Sequence, residues 1–161
     1  MAQKVKLSTI ADALKVSTAT VSLALRDSPL VAEATREKIK EQATLLGYIY
    51  NRRAASLRTS RSGIVGVVVH DIMNPFFAEI LRSIETELDK SRQTFVLSNH
   101  YDSVEKQRNF LETLMQLGAD GVIMSPAIGT PASDIKLAED NGLPAVLIAR
   151  SIENAAVPVF R

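Results

Sequence analysis

A chain of 161 residues with no cysteine and a formal net charge of +1 has room for one domain, or for a small domain joined to part of a larger one. The missing cysteines exclude disulfides and thiolate metal sites, and no apolar run approaches the roughly 20 residues of a membrane-spanning helix. The opening Met1-Ala2-Gln3-Lys4-Val5-Lys6 lacks the apolar core of a signal peptide, so a soluble, cytoplasmic protein with no membrane partner is expected. The net charge hides an asymmetry. Residues 1–61 hold eleven lysines and arginines against five acids, a net +6, while residues 62–161 hold eight against thirteen, a net −5. A basic head on an acidic body suits a nucleic-acid-binding module joined to a sensing module, although a merely solvated basic surface has the same balance.

Residues 7–25, Leu-Ser-Thr-Ile-Ala-Asp-Ala-Leu-Lys-Val-Ser-Thr-Ala-Thr-Val-Ser-Leu-Ala-Leu, read as two short helices broken at Lys15-Val16. Ile10, Ala11 and Leu14 share one face of the first, and Val21, Ala24 and Leu25 one face of the second. Ser17 is placed to cap the second helix by accepting from the amide of Thr20 or its neighbour. At about 100° per residue, Ala19, Leu23 and Arg26 point away from Val21, with Thr20 and Ser22 on the flanks. Hydroxyls, small side chains, one arginine and a leucine with no core to enter suit a helix lying in the DNA major groove. There hydroxyls reach phosphates and apolar groups meet thymine methyls. The spacing alone suits a helical hairpin in any small bundle as well.

Residues 27–31 make a loop, and a third helix is expected over 32–46. Its stripe of Thr35, Ile39, Ala43 and Leu46 covers the first two helices, and Gly47 ends it. An arginine-rich joint follows over residues 48–62. Residues 52–58 allow two helical turns, too few to be stable alone in water, so such a segment folds when a partner supplies contacts. Leu57 among Arg52, Arg53, Arg58 and Arg61 fits an apolar wedge in a minor groove, flanked by arginines on phosphates. The same residues fit a flexible basic linker whose leucine packs on the body.

From Gly63 the period changes. Residues 64–69 are a continuous apolar run, as in a strand buried on both faces. A helix over 76–91, a strand at 94–98, a helix over 104–117 and a strand at 122–125 follow. A helix over 133–141, a strand at 145–149 and the start of another at 157–160 complete the series. This alternation implies a parallel sheet with helices on both faces. Ligands of such sheets sit beyond the carboxyl ends of the strands, where Asp71, Asn74, Phe76, Phe77, Asn99, Ser125 and Arg150 fall. Carboxylate and amide groups beside two phenylalanines suit a polyol or sugar, while Phe77 also suits the helix core.

An enzyme is not expected. His70, His100 and Asp71 are the only acid–base groups at strand ends, and no nucleophile partners them. Residues 63–66 lie within a strand rather than after it, so they make no phosphate loop. No catalytic residue, metal-ligand cluster or cofactor is predicted.

Several fragments in their order and spacing resemble the LacI/GalR family of transcriptional regulators. In the head these are Leu7-Ser8-Thr9-Ile10-Ala11-Asp12-Ala13, Val16-Ser17 followed by Ala19-Thr20-Val21-Ser22, then Thr35-Arg36, Leu46-Gly47-Tyr48 and Asn51. In the body, Asn74-Pro75-Phe76-Phe77, Gln107-Arg108 and Gly118-Ala119-Asp120-Gly121 resemble that family's ligand-binding core. The resemblance covers the whole chain. It implies a three-helix helix-turn-helix DNA-binding head over 1–49, a hinge helix or linker over 50–62, and over 63–161 the first lobe of a periplasmic-binding-protein-like α/β core. Family members are about twice as long, so one lobe of two is implied.

The function implied is that of a repressor working as a homodimer on a pseudo-palindromic operator in double-stranded DNA, with a small effector, a sugar or sugar phosphate, bound in the core. The DNA contacts carried over are Ser17, Thr18, Ala19, Thr20, Ser22, Leu23, Arg26, Tyr48, Asn51, Arg52, Arg53 and Arg58, with Leu57 at the intercalating position. The effector contacts are Asp71, Asn74, Phe76, Phe77, Ser125 and Arg150. A solute-binding protein of periplasmic type with a non-DNA-binding head is the alternative, and the +6 head stands against it.

The chain departs from the family pattern at several places. Leu23 stands where a basic or polar reading residue is usual and Arg26 where asparagine is common, so readout should lean on thymine methyls and Arg26. Lys15 replaces glycine in a turn that can require positive φ, and Lys6 replaces a capping threonine, a role left to Ser8. Tyr50 replaces proline, Ala55 replaces a hinge arginine, and Ala149 replaces an acid.

Overall fold

The computed structural model describes residues 5–49 and 61–160, and its contacts divide the chain into two units, Met1–Asn51 and Arg52–Arg161. Tyr50, Asn51, Arg52, Arg53, Ala55, Leu57 and Arg58 lie outside the described residues.

Helices α1 (Leu7–Leu14), α2 (Thr18–Ala24) and α3 (Glu33–Leu45) make the first unit. None is long enough to persist alone. Each contributes its apolar stripe to one core, in which Ile10, Val21, Ala24 and Ile39 are fully buried and Ala11, Val31 and Ala43 nearly so. Lys15 ends α1 in the left-handed region, at φ 54° and ψ 42°. The amide of Val16 then returns to the carbonyl of Ala11 at 3.0 Å while its side chain joins the core, a left-handed helix cap built without glycine. Gly47, at φ 68°, ends α3 in the same way, with the Tyr48 amide on the Ala43 carbonyl at 2.8 Å.

At the start of α1 the expectation for Ser8 needs correction. The helix begins at Leu7, which places Ser8 inside the first turn. The local contact comes from Thr9, whose hydroxyl accepts from the Lys6 amide at 3.3 Å. Ser17 caps α2 as expected, its hydroxyl accepting from the Thr20 amide at 3.0 Å. The loop before α3 is pinned from the helix. Arg36 donates to the Ser28 carbonyl at 3.1 Å, and Lys40 pairs with Asp27 at 2.6 Å and Glu37 at 3.1 Å. Hydrogen bonds to Asp27 and then Glu37 hold the Lys40 ammonium above its ordinary value.

The second unit alternates β1 (Ile64–Val69), α4 (Pro75–Lys90), β2 (Thr94–Asn99), α5 (Val104–Leu117), β3 (Gly121–Met124), α6 (Ala132–Asp140), β4 (Ala145–Ile148) and β5 (Val159–Phe160). The strands form one parallel sheet in the order β2-β1-β3-β4-β5. Expected and observed ends agree to within two residues. Helix α4 starts one residue early because Asn74 accepts from the Phe76 amide at 3.1 Å, which leaves Pro75 at the first helical position, where its missing N–H costs nothing. Strand β4 stops before Ala149 because that residue turns to φ 62°.

Alternation along β1 sorts its side chains into two layers. Val68 joins Leu111, Leu114, Met124, Ile135 and Leu147 on one face. Val67 and Val69 join Phe77, Ile80, Leu81 and Ile84 on the other.

A lysine in the left-handed region costs roughly 1–2 kcal/mol, partly offset because glycine loses more chain entropy on folding, by about 0.5–1 kcal/mol. Lys15→Gly is therefore expected to stabilise the head by about 0.5–1 kcal/mol. Urea denaturation followed at a head-specific probe checks this, and a destabilised variant would contradict the backbone account.

Candidate functional site

The outward arc of α2 is narrower than the helical wheel implies. Ser17, Thr18 and Ala19 are exposed and Thr20 is half-buried, its hydroxyl 2.8 Å from that of Ser17. Ser22 is only 9% exposed, so its expected place on the open flank is corrected. Leu23 also finds a core after all, half-buried against the apolar cluster of the head. The physical reason is shared. A seven-residue helix wedged between two others buries more than half its circumference, which a stripe drawn from Val21 alone does not register.

Arg26 remains exposed just beyond α2. Its Nε donates to the Ser22 carbonyl at 3.0 Å, which lays the side chain back along its own helix. Tyr48 packs its ring on the head core. Asn51, Arg52, Arg53, Leu57 and Arg58 lie outside the described residues. The grouped outward residues are thus Ser17 to Thr20 and Arg26, which present three hydroxyls and one cation.

The second constellation lies at the carboxyl ends of β1 to β4. Sheet order puts the ends of β2, β1 and β3 side by side, with the crevice of this winding between β1 and β3. Three buried polar atoms there make no hydrogen bond among the described residues: Nδ1 of His70, Oδ1 of Asn99 and Oγ of Ser125. Buried polar atoms are usually paired, so this row is an unsatisfied polar floor.

Several predicted contacts are occupied with building that floor. Asp71 accepts from the Met73 amide at 2.9 Å, and Asn74 caps α4, so both shape the turn out of β1. Phe77 is 5% exposed in the core with Val67 and Val69, which corrects its assignment to the effector surface. Phe76, 53% exposed, keeps an open ring 5.2 Å from that of Phe77. Arg150 donates to the Asp102 carboxylate at 2.5 Å and the Pro126 carbonyl at 3.2 Å. It lines an open cleft of about 550 Å³ with Pro126, Ile128, Thr130 and Glu153.

Sequence reasoning placed His70 and His100 at strand ends without giving them a part in the site, and it missed Asp102 altogether. His100 is fully buried. Its Nδ1 accepts from the Asp102 amide at 2.9 Å, so the proton sits on Nε2, which donates to the Ser125 carbonyl at 2.7 Å. Burial lowers the pKa of His100, and nearby Arg150 and His70 push the same way against the Ser125 bond and Asp102. Desolvation raises the Asp102 carboxyl, but the Arg150 hydrogen bond, the Ile128 amide and the charges of Arg150 and His70 outweigh it and hold the group below its ordinary value. His70 Nδ1 lies 3.2 Å from Asp102 Oδ2, out of line for a hydrogen bond. Tyr101 and Asp102 form a left-handed pair, at φ 49° and 61°, a turn that no glycine in the sequence announces.

His70, His100 and Asp102 are also the one group among the described residues whose donor atoms converge closely enough for a metal, within 4.8 Å. Both nitrogens of His100 are committed, and Arg150 adds a positive charge on Asp102. The set does not fit a cation.

Known proteins resemble both units. Residues 6–51 match the family model described as bacterial regulatory proteins, lacI family. Residues 62–161 match that of periplasmic binding proteins and sugar binding domain of LacI family. The maltose regulon regulatory protein MalI of Vibrio furnissii is 33% identical over 119 residues, 74% of this chain and 87% of that protein. The protein of the same name from Escherichia coli (strain K12) is 31% identical over 151 residues, 93% of this chain. This chain spans 44% of that relative's length. The crystal structure of a LacI-family transcriptional regulator from Silicibacter pomeroyi superposes with a TM-score of 0.78 at 26% identity, over 96% of this chain and 46% of that one.

The neutral state of His100 sets a pH dependence. A histidine whose folded pKa lies below its unfolded value leaves the unfolded chain binding more protons as pH falls, so stability is lost in that direction. Between about pH 7 and 5 the lobe should lose stability, and His100→Gln, which keeps a donor for the Ser125 carbonyl, should flatten that slope. Urea midpoints across the range are the readout, and equal slopes would remove His100 as the cause.

Proposed function

This chain belongs to the LacI family of bacterial regulatory proteins, and from that premise we propose that it is a DNA-binding transcriptional regulator, a repressor, whose α/β lobe reads a small sugar. The observation that carries the reading is the pairing, in one chain, of a capped α2 presenting Thr18, Ala19 and Arg26 with a lobe whose unsatisfied polar floor lies at the sheet's crevice. Ser17 and Thr20 hold phosphates, Thr18 and Ala19 meet thymine methyls, and Arg26 reaches a base edge with the guanidinium nitrogens left by its Ser22 bond. In this reading Leu57 is the wedge and Arg52, Arg53 and Arg58 are its phosphate anchors. A pseudo-palindromic operator and a homodimer complete the proposal, since paired half-sites mirror a two-fold axis.

For the effector, relatives named as maltose and ribose operon regulators support a sugar. The arrangement of charge favours an uncharged one. Arg150 is engaged by Asp102, so a phosphate meets no unengaged cation among the described strand ends. Ser125, Asn99 and His70 offer hydroxyl-scale hydrogen bonds, and Phe76 an apolar face.

Selection of bound sequences from random duplexes, with and without candidate sugars, tests the reading. Enriched sites should be symmetric, and affinity should fall by about tenfold or more between roughly 50 and 200 mM salt, because phosphate contacts release counterions. Arg26→Ala should cost about 1–3 kcal/mol on the enriched site while leaving mixed-sequence binding nearly unchanged. No enrichment, or binding indifferent to salt, would sink the proposal.

A further inference from the structure

At the amino end of β1 the chain is tied into a knot of short hydrogen bonds. The Ser62 amide donates to Asp120 Oδ1 at 2.7 Å and the Gly63 amide to Asp120 Oδ2 at 2.9 Å. The Ser62 hydroxyl adds a third bond to Oδ1 at 3.2 Å and itself accepts from the Ile64 amide at 3.1 Å. In return the Asp120 amide donates to the Ile64 carbonyl at 2.7 Å, and the Gly63 carbonyl accepts from Thr94 at 2.9 Å. Gly63 stands at φ 71°, where successive amides of a turn converge on one anion. Residues 62–64 are thereby fastened to the starts of β2 and β3 together. Beside the knot, Arg61 lines an open cleft of about 550 Å³ with Asp120, Gly118, Asn141 and Gly142. The carboxyl ends of α5 and α6 open there, and their partial negative charge favours a guanidinium.

We infer that Asp120 is a positioning residue that couples the arginine-rich joint to the lobe, and that the preference for one DNA sequence over another depends on it. The inference rests on the regulator reading above. On the regulator reading, a segment of two helical turns would be ordered on DNA only at an entropic cost, and fixing one of its ends would lower that cost. Asp120 supplies the fixed end. Gly118-Ala119-Asp120-Gly121 thus gains a role that neither the DNA face nor the sugar crevice requires of it.

Asp120→Asn replaces one of the two acceptor oxygens by an NH2 group that faces an N–H donor, while keeping size and shape. In the full chain, trypsin should cut the wild-type Arg61–Ser62 bond at least tenfold more slowly than Arg58–Thr59, and D120N should raise cleavage after Arg61 at least fivefold. On DNA, the ratio of affinity for the duplex enriched by the wild type to that for mixed-sequence duplex of equal length should fall at least tenfold, with mixed-sequence affinity held within twofold. A lesion confined to lobe packing would not move that ratio. Asp120→Ser, whose hydroxyl is about one bond too short to reach the positions of the two carboxylate oxygens, should lose at least as much and replaces D120N if that variant fails to fold. Equal wild-type cleavage at the two bonds, or a ratio kept within twofold in the variants, overturns the inference. If the wild type enriches no duplex, the regulator reading fails and the DNA coupling with it, while the trypsin comparison still judges the anchor.

Discussion

The lobe depends on how tightly β1 is held against α5. Gly66 has no side chain, and Leu114 occupies the space where one would be: a methyl group there would meet Leu114 Cδ1 at 2.1 Å. Side chains give way only slightly in such a core, so strand and helix define each other's position. Val67, Val68 and Val69 follow with no exposure at all, which fixes the strand from both faces. Strand β1, interior to the sheet between β2 and β3, is thus held along its whole length. Its carboxyl end runs into His70 and the polar floor, and its amino end begins at the Asp120 knot.

Chemistry at the upper end divides between groups that build and groups left over. Asp71, Asn74, Asp102 and Arg150 have the look of ligand hooks, yet each is spent on a turn, a helix cap or an ion pair. His100 is spent twice, on an amide and a carbonyl. What remains is the Ser125 hydroxyl, the Asn99 carbonyl oxygen, one nitrogen of His70 and the open ring of Phe76. A site assembled from such groups selects by hydrogen-bond pattern and shape rather than by charge, because its ions already neutralise each other.

Periodicity made the architecture legible. The β-branched run at 64–69, the glycine stops at 118 and 142 and the cap at Ser17 are local signals, and the elements they announce are present. The left-handed turn at Lys15 was legible by a different route, from the family pattern that places glycine there. The misses share a different origin. Ser22 and Leu23 are buried by two neighbouring helices, Phe77 by β1 across the layer, and Asp102 meets Arg150 from 48 residues away. None of these pairings leaves a trace in the spacing of its own segment. Asp120 stood inside a recognised motif, but its partners precede it by 57 and 58 residues, so the motif signalled kinship without signalling the bond.

The two ends of β1 are related through β3. Ser125 follows the last residue of β3, and Asp120 precedes its first; His70 and Gly63 hold the same places on β1. The strands run in register, Val65 opposite Gly121 and Val68 opposite Met124. A sugar hydrogen-bonded to both His70 and Ser125 would therefore bridge the same two strands that the Asp120 knot bridges at their other ends. Six residues of strand span about 20 Å, and a strand packed on both faces does not stretch. A shift of β1 against β3 at the crevice would have to pass along the ladder of hydrogen bonds that pairs the two strands before it reached Asp120 and the amides of Ser62 and Gly63. Hydrogen bonds of 2.7–2.9 Å tolerate only a few tenths of an ångström before they weaken. The knot thus answers to displacements of the same size as those that would weaken the β1–β3 ladder, and it lies where the chain enters the sheet.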